Sequence, residues 1–316
     1  MERLDGGSAV PAHLRGGIVA LGNFDGFHRG HQAVVGRAVD RARLENKPAL
    51  VATFDPHPMR YFRPDSPWFR LTTLEQRERL ILAAGVDAVL VFQFDADFAA
   101  VTAPDFVTEW LVRRIGAAGI VTGEDFTFGK ARGGDVALLR MLGQGHRLSV
   151  DTVAPVMEGD RAVSSTWIRE ALHDGDCETA TRLLTRPHTI EGMVEPGDRR
   201  GRELGFPTAN IALGNFLRPR YGVYAVRGRL DPGSGSGAGS GRILDGVAHL
   251  GVRPMFEPPK ELLEPHFFDF DGDLYGQRIA VELVSFIRDE LVFEDVEALR
   301  VQIARDAEQA RARLAK

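Results

Sequence analysis

Residues 21–32 read LGNFDGFHRGHQ. An apolar run, GGIVAL over 16–21, ends inside it, and HQAVVGRAVDRARLEN over 31–46 continues with helical spacing. A buried strand therefore gives way to a helix through a turn-forming segment that carries two histidines. The same alternation recurs downstream. PALVATFDPHP (48–58) is a strand ending in a Pro-rich loop, and TTLEQRERLILAAG (72–85) is a helix. VDAVLVFQFD (86–95) is a strand, APDFVTEWLVRRIGA (103–117) a helix, and AGIVTGEDFTFG (118–129) opens with another strand. Strands and helices alternating at this spacing predict a parallel α/β sheet. Ligands of such sheets bind beyond the carboxyl ends of the strands, where GNFDGFHRGH, TFDPHP and GEDFTFGK all lie.

The pattern changes near residue 186. YGVYAVRGRL, ILDGVAHLG, PHFFDF and RIAVELVSFI read as strands with no helical segment between them, which predicts an antiparallel barrel or sandwich. After Asp295 the apolar residues Val296, Leu299, Ile303, Ala307, Ala310 and Leu314 step by three and four, the stripe of a C-terminal helix. The Gly/Ser run at 231–241 has the composition of a long hairpin loop. Two domains are expected, 1–186 and 187–316, as a chain of 316 residues exceeds one ordinary core.

Composition narrows the function. The hydrophobic fraction is 44%, the charged fraction 26% and the formal net charge -5. An acidic balance disfavours a general nucleic-acid binder, which needs cations to displace counterions. The rival in which the barrel is a small nucleic-acid module also lacks an aromatic-basic stacking run. A single cysteine, Cys177, excludes an intrachain disulfide and a cysteine-built zinc site, and suits a reducing compartment. No stretch approaches the roughly 20 apolar residues of a membrane helix. The expectation is a cytoplasmic protein.

His28 and His31 fall at i and i+3, on one face of a helix start. Unpaired N–H groups and the helix dipole favour an anion there, and two imidazoles add donors. Gly22 and Gly26 permit a tight turn, and Gly30 leaves room for close backbone approach. This is a phosphate cradle by its chemistry; half of a metal site is the alternative, without an acidic or Cys partner nearby. SSTWIREAL (164–172) puts hydroxyls and a guanidinium at another helix start, an anion site or an ordinary capping cluster. GEDFTFGKA (123–131) approximates a P-loop, but has one residue too many between its glycines and Ala131 where a hydroxyl would hold Mg2+. In GDRRGRELGFPTAN (197–210), three glycines and two basic pairs suit a phosphate loop, and Thr208 and Asn210 point the same way in an extended chain. A hydroxyl and an amide oxygen are hard ligands that suit Mg2+ with ATP. Glu264, His266, Phe268 and Phe270 alternate onto one strand face, so that Glu264 would lie at a barrel mouth.

These motifs, taken in order, resemble the bacterial FAD synthetases, bifunctional riboflavin kinase/FMN adenylyltransferases, from about Gly17 to about Leu314. HRGH, TFDPHP, GEDFTFGKARGGD and SSTWIREAL are similar to the adenylyltransferase half. GFPTAN, YGVYAV, GVAHLGVRPMF, LEPHFFDFDGDLYG and FIRDELVF are similar to the kinase half. The resemblance implies a Rossmann-like nucleotidylyltransferase domain and a β-barrel kinase domain with a terminal helix. It implies synthesis of FMN and then FAD with ATP and Mg2+. His28 and His31 would hold the ATP phosphates and stabilise the transition state. Gly22, Asn23, Phe24 and Asp25 would shape the turn at the nucleotide, and Asp125 would contact it. Arg161, Ser164, Ser165, Thr166 and Arg169 would bind phosphates. Phe54, Pro56 and His57 would lie near the flavin. Gly205, Pro207, Thr208 and Asn210 would bind ATP in the kinase half, with Thr208 and Asn210 at the metal. Glu264 would be the base and Arg288 would sit near flavin or phosphate. Four positions depart from the family pattern. Ala162 stands where arginine is frequent, Ala131 where glycine is usual, His249 where asparagine is usual and Met255 where threonine is usual. The alternative is that one domain is active and the other only binds flavin.

Overall fold

The computed structural model describes residues 2–67, 69–196, 205–230, 242–253 and 259–315. The chain divides into two compact units, Met1–Pro67 with Thr72–Ser164, and Trp68–Leu71 with Ser165–Lys316.

The first unit is built on six strands, β1 (Glu2–Asp5), β2 (Ile18–Leu21), β3 (Ala49–Asp55), β4 (Ala88–Gln93), β5 (Gly119–Gly123) and β6 (Ser149–Val153). They form one wholly parallel, Rossmann-like sheet in the order β1-β4-β3-β2-β5-β6. The central strand β2 is buried on both faces, as a parallel sheet requires. Val19 and Leu21 join one core with Leu50, Leu90 and Phe92. Ile18 and Ala20 join the other with Val35, Ala38 and Ala42 of α1 (Arg29–Leu44). The chain winds from β2 through β3 to β4 on one side and through β5 to β6 on the other. The topological switch point therefore falls between β2 and β5, and the carboxyl ends of these strands are where the fold offers a ligand crevice.

Helical pieces α2 (Pro58–Phe62), α3 (Leu74–Ala83), α4 (Ala96–Ala99), α5 (Ala103–Asp105) and α6 (Val136–Gln144) connect the strands. Thr73 and Gln76 form a capping box on α3, which fixes where that helix starts. The helix expected over 103–117 is a short α-turn followed by a π-helical segment, Phe106–Ile115, ended by Gly116 at φ 68°. Strand β1 was not foreseen. Its sequence, ERLD, has one apolar residue and no alternation, and it forms by pairing with β4 at the sheet edge. A hairpin of β7 (Met157–Glu158) and β8 (Arg161–Ala162) completes the unit.

The second unit starts with α7 (Ser165–Asp174) and α8 (Cys177–Leu184). Strands β9 (His188–Glu195), β10 (Asn210–Ala212), β11 (Gly222–Leu230), β12 (Ile243–Arg253), β13 (Lys260–Phe267) and β14 (Arg278–Arg288) close into a barrel in the order β10-β13-β12-β11-β14-β9. Of barrel and sandwich, the structure is the barrel. Ile190, Ile211, Tyr224, Leu250, Leu263 and Val281 fill its interior. Val223, Ala225 and Val247 face outward beneath the terminal helix α9 (Val296–Leu314). That helix does not bury the whole stripe read from the sequence. Val296 is exposed, and the buried line runs through Asp306, Ala310 and Leu314. The 231–241 run, residues 197–204 and Met255 lie outside the described residues.

Candidate functional sites

In the first unit the turn after β2 is tightly built. Phe24, Gly26 and Phe27 all adopt left-handed backbone, with φ of 52°, 84° and 44°. Two phenylalanines in that region store strain, and buried contacts hold them there. Phe24 and Phe27 pack beneath the sheet with α1. Asp25 is buried, and its Oδ1 accepts from the Thr72 amide (3.1 Å) and hydroxyl (3.2 Å). The Gly26 amide donates to the Thr72 hydroxyl at 3.1 Å. Asn23 offers its main-chain oxygen to the Thr53 hydroxyl (2.9 Å) and to Arg77 Nη1 (2.8 Å). Its side-chain Oδ1 is buried without a hydrogen-bond partner among the described residues. The Asn23 carbonyl and the Asp25 carboxylate thus hold the turn.

His28 is the N-cap of α1 rather than a residue of its first turn. Its Nδ1 accepts from the amides of Gly30 (3.2 Å) and His31 (3.4 Å). An accepting Nδ1 carries a lone pair, so the proton of the neutral ring is on Nε2. His31, three residues on, stacks on it with centroids 3.6 Å apart, and the Phe24 edge closes on His31 at 5.3 Å. Gly30 sits against the capping ring. A Cβ there would stand 3.1 Å from His28 Cε1, so glycine makes room for the capping imidazole.

The hairpin leans on this helix start. Arg29 pairs with Glu158 on β7, and Glu158 is in register with Arg161 on β8. Arg161 and Ala162 are successive strand residues, so their side chains leave opposite faces. Arg161 therefore does not take the place of an arginine at 162. Asp125 is exposed in the turn after β5, on the other side of the switch point. Phe54 packs among Phe92, Phe94 and Phe98, inside the core. A cis bond joins Asp55 to Pro56, and His57 caps α2 by accepting from the Met59 amide at 3.1 Å.

Arg77 is the residue the sequence reading missed. It is 1% exposed, yet its Nη1 reaches Asn23 O, Thr53 Oγ1 (3.1 Å) and Phe54 O (3.4 Å). It ties the turn after β2 to the carboxyl end of β3. The available signal was an arginine on the apolar stripe of its helix, between Leu74 and Ile81.

Ser164 ends the first unit, while Ser165, Thr166 and Arg169 belong to α7 in the second. Arg169 Nε donates to Phe69 O at 2.9 Å, and its guanidinium lies over the Phe69 ring.

In the second unit the candidate residues gather on the outer face of the barrel, not at its mouth. Leu263 and Phe267 point inward, so Glu264 and His266 point outward. Glu264 is in mid-strand, directly across from His249 on β12. On its other side Ile211 pairs with Leu263, and the Ala209 amide donates to Pro265 O at 3.0 Å. Continuing that antiparallel register sets Asn210 beside Glu264 and Thr208 beside His266. Asn210 is buried, and Pro207 O accepts from His266 Nδ1 at 2.9 Å. Gly205 has φ 81°. The four-residue alternation stops early. β13 ends at Phe267, Asp269 turns the chain at φ 55°, Phe268 packs under α9 and Phe270 against the interior cluster.

Glu264 contacts Arg253 through Nη2, and its Oε2 is 3.4 Å from His249 Nδ1. Burial would raise its pKa. His249 and Arg253 together outweigh burial and hold the carboxyl below its ordinary range. Glu264 is therefore ionised at neutral pH, as a proton acceptor must be. Arg288 is occupied otherwise. Its guanidinium forks onto Asp306 of α9 (2.7 to 3.1 Å) and donates to Asp289 O, which ties the terminal helix to the barrel.

Comparison with known proteins covers both units. The FAD synthetase family model matches residues 10–167, and the riboflavin kinase family model matches 184–314. A bifunctional riboflavin kinase/FMN adenylyltransferase of Escherichia coli K12 is 39% identical over 300 residues, covering 95% of this chain and 93% of that protein. The protein of the same description from Bacillus subtilis is 35% identical over 298 residues, covering 93% and 91%. A crystal structure titled as a macrolide-efflux protein from Streptococcus pneumoniae has 30% identity and a TM-score of 0.85, with 98% of each chain covered. Among the described residues no helix is long and apolar enough to cross a membrane. On the extent and identity of these matches, and with both domains present, the chain belongs to the bifunctional riboflavin kinase/FMN adenylyltransferase family.

Proposed function

We propose that the barrel unit phosphorylates riboflavin to FMN and that the α/β unit adenylylates FMN to FAD, each with ATP. One observation carries the reading. A single chain holds a histidine-capped helix at a sheet's switch point and, in a separate unit, an ionised glutamate beside the Thr208–Asn210 pair.

In the kinase step the ribityl 5′-oxygen attacks the γ-phosphorus of ATP and ADP leaves. Glu264 takes the hydroxyl proton. Thr208 and Asn210 supply a hydroxyl and an amide oxygen on the Glu264 face, a donor set that fits Mg2+ completed by phosphate oxygens. Bound there, the ion would neutralise charge on the phosphates. In the adenylyl step an FMN phosphate oxygen attacks the α-phosphorus and pyrophosphate leaves, without a covalent enzyme intermediate. Charge grows on the phosphate oxygens, and the Nε2–H of His28 and the N-terminus of α1 are the donors suited to it. His31 holds the His28 ring in place by stacking. Asp125 is assigned to the nucleotide by its place after β5, across the switch point. Roles at phosphate for Arg161, Ser164, Ser165, Thr166 and Arg169, and at flavin for Pro56, His57 and Arg288, rest on the family motifs. Phe54 supports the flavin loop from beneath. Domain limits at 1–186 and 187–316 follow the change of sequence pattern. We place the protein in the cytoplasm, where its one thiol stays reduced.

Product analysis tests the reading. With riboflavin, ATP and Mg2+, FMN should appear first and FAD after it. FMN alone would restrict the activity to the barrel unit, and Ala162→Arg would be the first restoration to try. Neither product from folded protein would overturn the reading.

A further inference from the structure

His249 is not alone beside Glu264. Its Nε2 lies 2.8 Å from Glu290 Oε1, just past the end of β14. Its Nδ1 lies 3.0 Å from Arg253 Nη2 and 3.4 Å from Glu264 Oε2. Arginine can only donate, so Nδ1 accepts from it, and the ring proton is on Nε2, aimed at Glu290. The side chains grade outward in exposure, from 15% at Glu264 through 24% at His249 to 47% at Glu290. Gly251 makes the last contact possible. A Cβ at that position would stand 2.3 Å from Glu290 Oε1 and 2.6 Å from His249 Cε1. A carboxylate, an imidazole and a second carboxylate thus form a continuous line from the Glu264 face of the barrel to solvent.

We propose that His249 positions Glu264 and relays its proton outward to Glu290. The inference rests on Glu264 being the kinase base. As the bond from the 5′-oxygen to the γ-phosphorus forms, the bond from that phosphorus to ADP breaks and ADP keeps the electron pair. The hydroxyl proton passes to Glu264 Oε2. From there it moves to His249 Nδ1 while the Nε2 proton moves to Glu290, which releases it to water. The imidazole is left as the Nδ1–H form and resets by exchange with water at its exposed edge. Without the relay, a proton on a largely buried carboxyl leaves slowly, and turnover waits for it. Among the described residues the charged groups facing His249 are Arg253 on its own strand, Glu264 on β13 and Glu290 after β14. Across β11 its register partner is Val223, which does not titrate.

The test is kinase turnover of the full chain, riboflavin to FMN. His249→Ala should lower kcat about tenfold, a fraction of the 10²–10⁴-fold of general acid–base catalysis, with KM for riboflavin little changed. Added imidazole should restore most of the loss, which a purely structural contact would not allow. Glu290→Gln should lower kcat about threefold, although Glu290 makes no contact with Glu264 in the line described. Because Glu290 is exposed, this variant decides the matter if His249→Ala does not fold. Unchanged turnover in Glu290→Gln, or a His249→Ala loss that imidazole leaves unrepaired, would overturn the relay. Glu264→Gln separates the two readings. If it keeps wild-type turnover, Glu264 is not the base; if it abolishes turnover while the His249 and Glu290 variants stay fully active, only the relay fails.

Discussion

The imidazoles of His28 and His31 lie face to face, 3.6 Å between centroids and 21° from parallel. One ring caps the helix and the other clamps it. Asparagine can replace the cap but not the Nε2 donor. His28→Asn should therefore keep the unfolding temperature and lower FAD formation from FMN by 10²–10³-fold, the usual effect of losing one transition-state donor. His28→Ala should add a cap loss of about 1 kcal/mol. FMN formation should persist in both. The check is chromatography of flavin products alongside thermal unfolding; equal loss of both products in folded protein would refute two separate sites.

Arg77 is buried between the turn after β2 and the carboxyl end of β3. Arg77→Ala should leave the carbonyls of Asn23 and Phe54 and the hydroxyl of Thr53 short of a donor, at about 3 kcal/mol or more. Arg77→Lys should recover only part, since an ammonium lacks the planar fork. Denaturant unfolding measures the stability change. The turn also carries His28, so FAD formation should fall in step with the loss of order.

Arg288 is held by Asp306, which is buried on α9. Asp306→Ala removes the buried carboxylate from a partly exposed guanidinium and should destabilise the barrel unit by about 1.5–3 kcal/mol, the value of hydrogen bonds to a charged group. Calorimetry of the unit's transition gives the number. If Arg288 also serves the flavin, the freed guanidinium should change KM for riboflavin in protein that remains folded.

The barrel unit should be acid-sensitive. Glu261 sits below its ordinary range chiefly because Arg218 donates to it, against burial, with help from the Tyr221 hydroxyl. Glu264 is also depressed, through His249 and Arg253 acting against burial. In the unfolded chain both titrate near pH 4.3. Depressed folded values mean that the unfolded state binds more protons in that window, so stability rises with pH there. Their contribution is complete above about pH 4.3 and is lost as pH falls through the folded values. Acid titration followed by tyrosine and tryptophan signals should show unfolding below that point, and Arg218→Gln should move it upward.

The kinase face was legible in residue types but not in place. Thr208 and Asn210 two apart, and Glu264 two before His266, follow from strand periodicity. Whether that face is the barrel's inside, mouth or outside depends on which alternate set fills the interior. Leu263 and Phe267 take the interior, which sends Glu264 out. Arg288 carries a partner that sequence distance concealed. The family motif sets it near flavin or phosphate, and the fold adds an ion pair to Asp306, a carboxylate eighteen residues on.

Local rules sufficed for the alternating strands and helices, the turn after β2, a helix start carrying two histidines and the change of pattern near residue 186. Period, turn chemistry and apolar runs act between near neighbours, and the sequence displays neighbours. Tertiary structure alone decided the strand order, and with it the switch point beside His28. It also decided the pairing of β1, the burial of Arg77 between the turn after β2 and the end of β3, and the Glu264–His249–Glu290 line. Each joins residues distant along the chain, and no local energy term acts between them until the chain has closed around them.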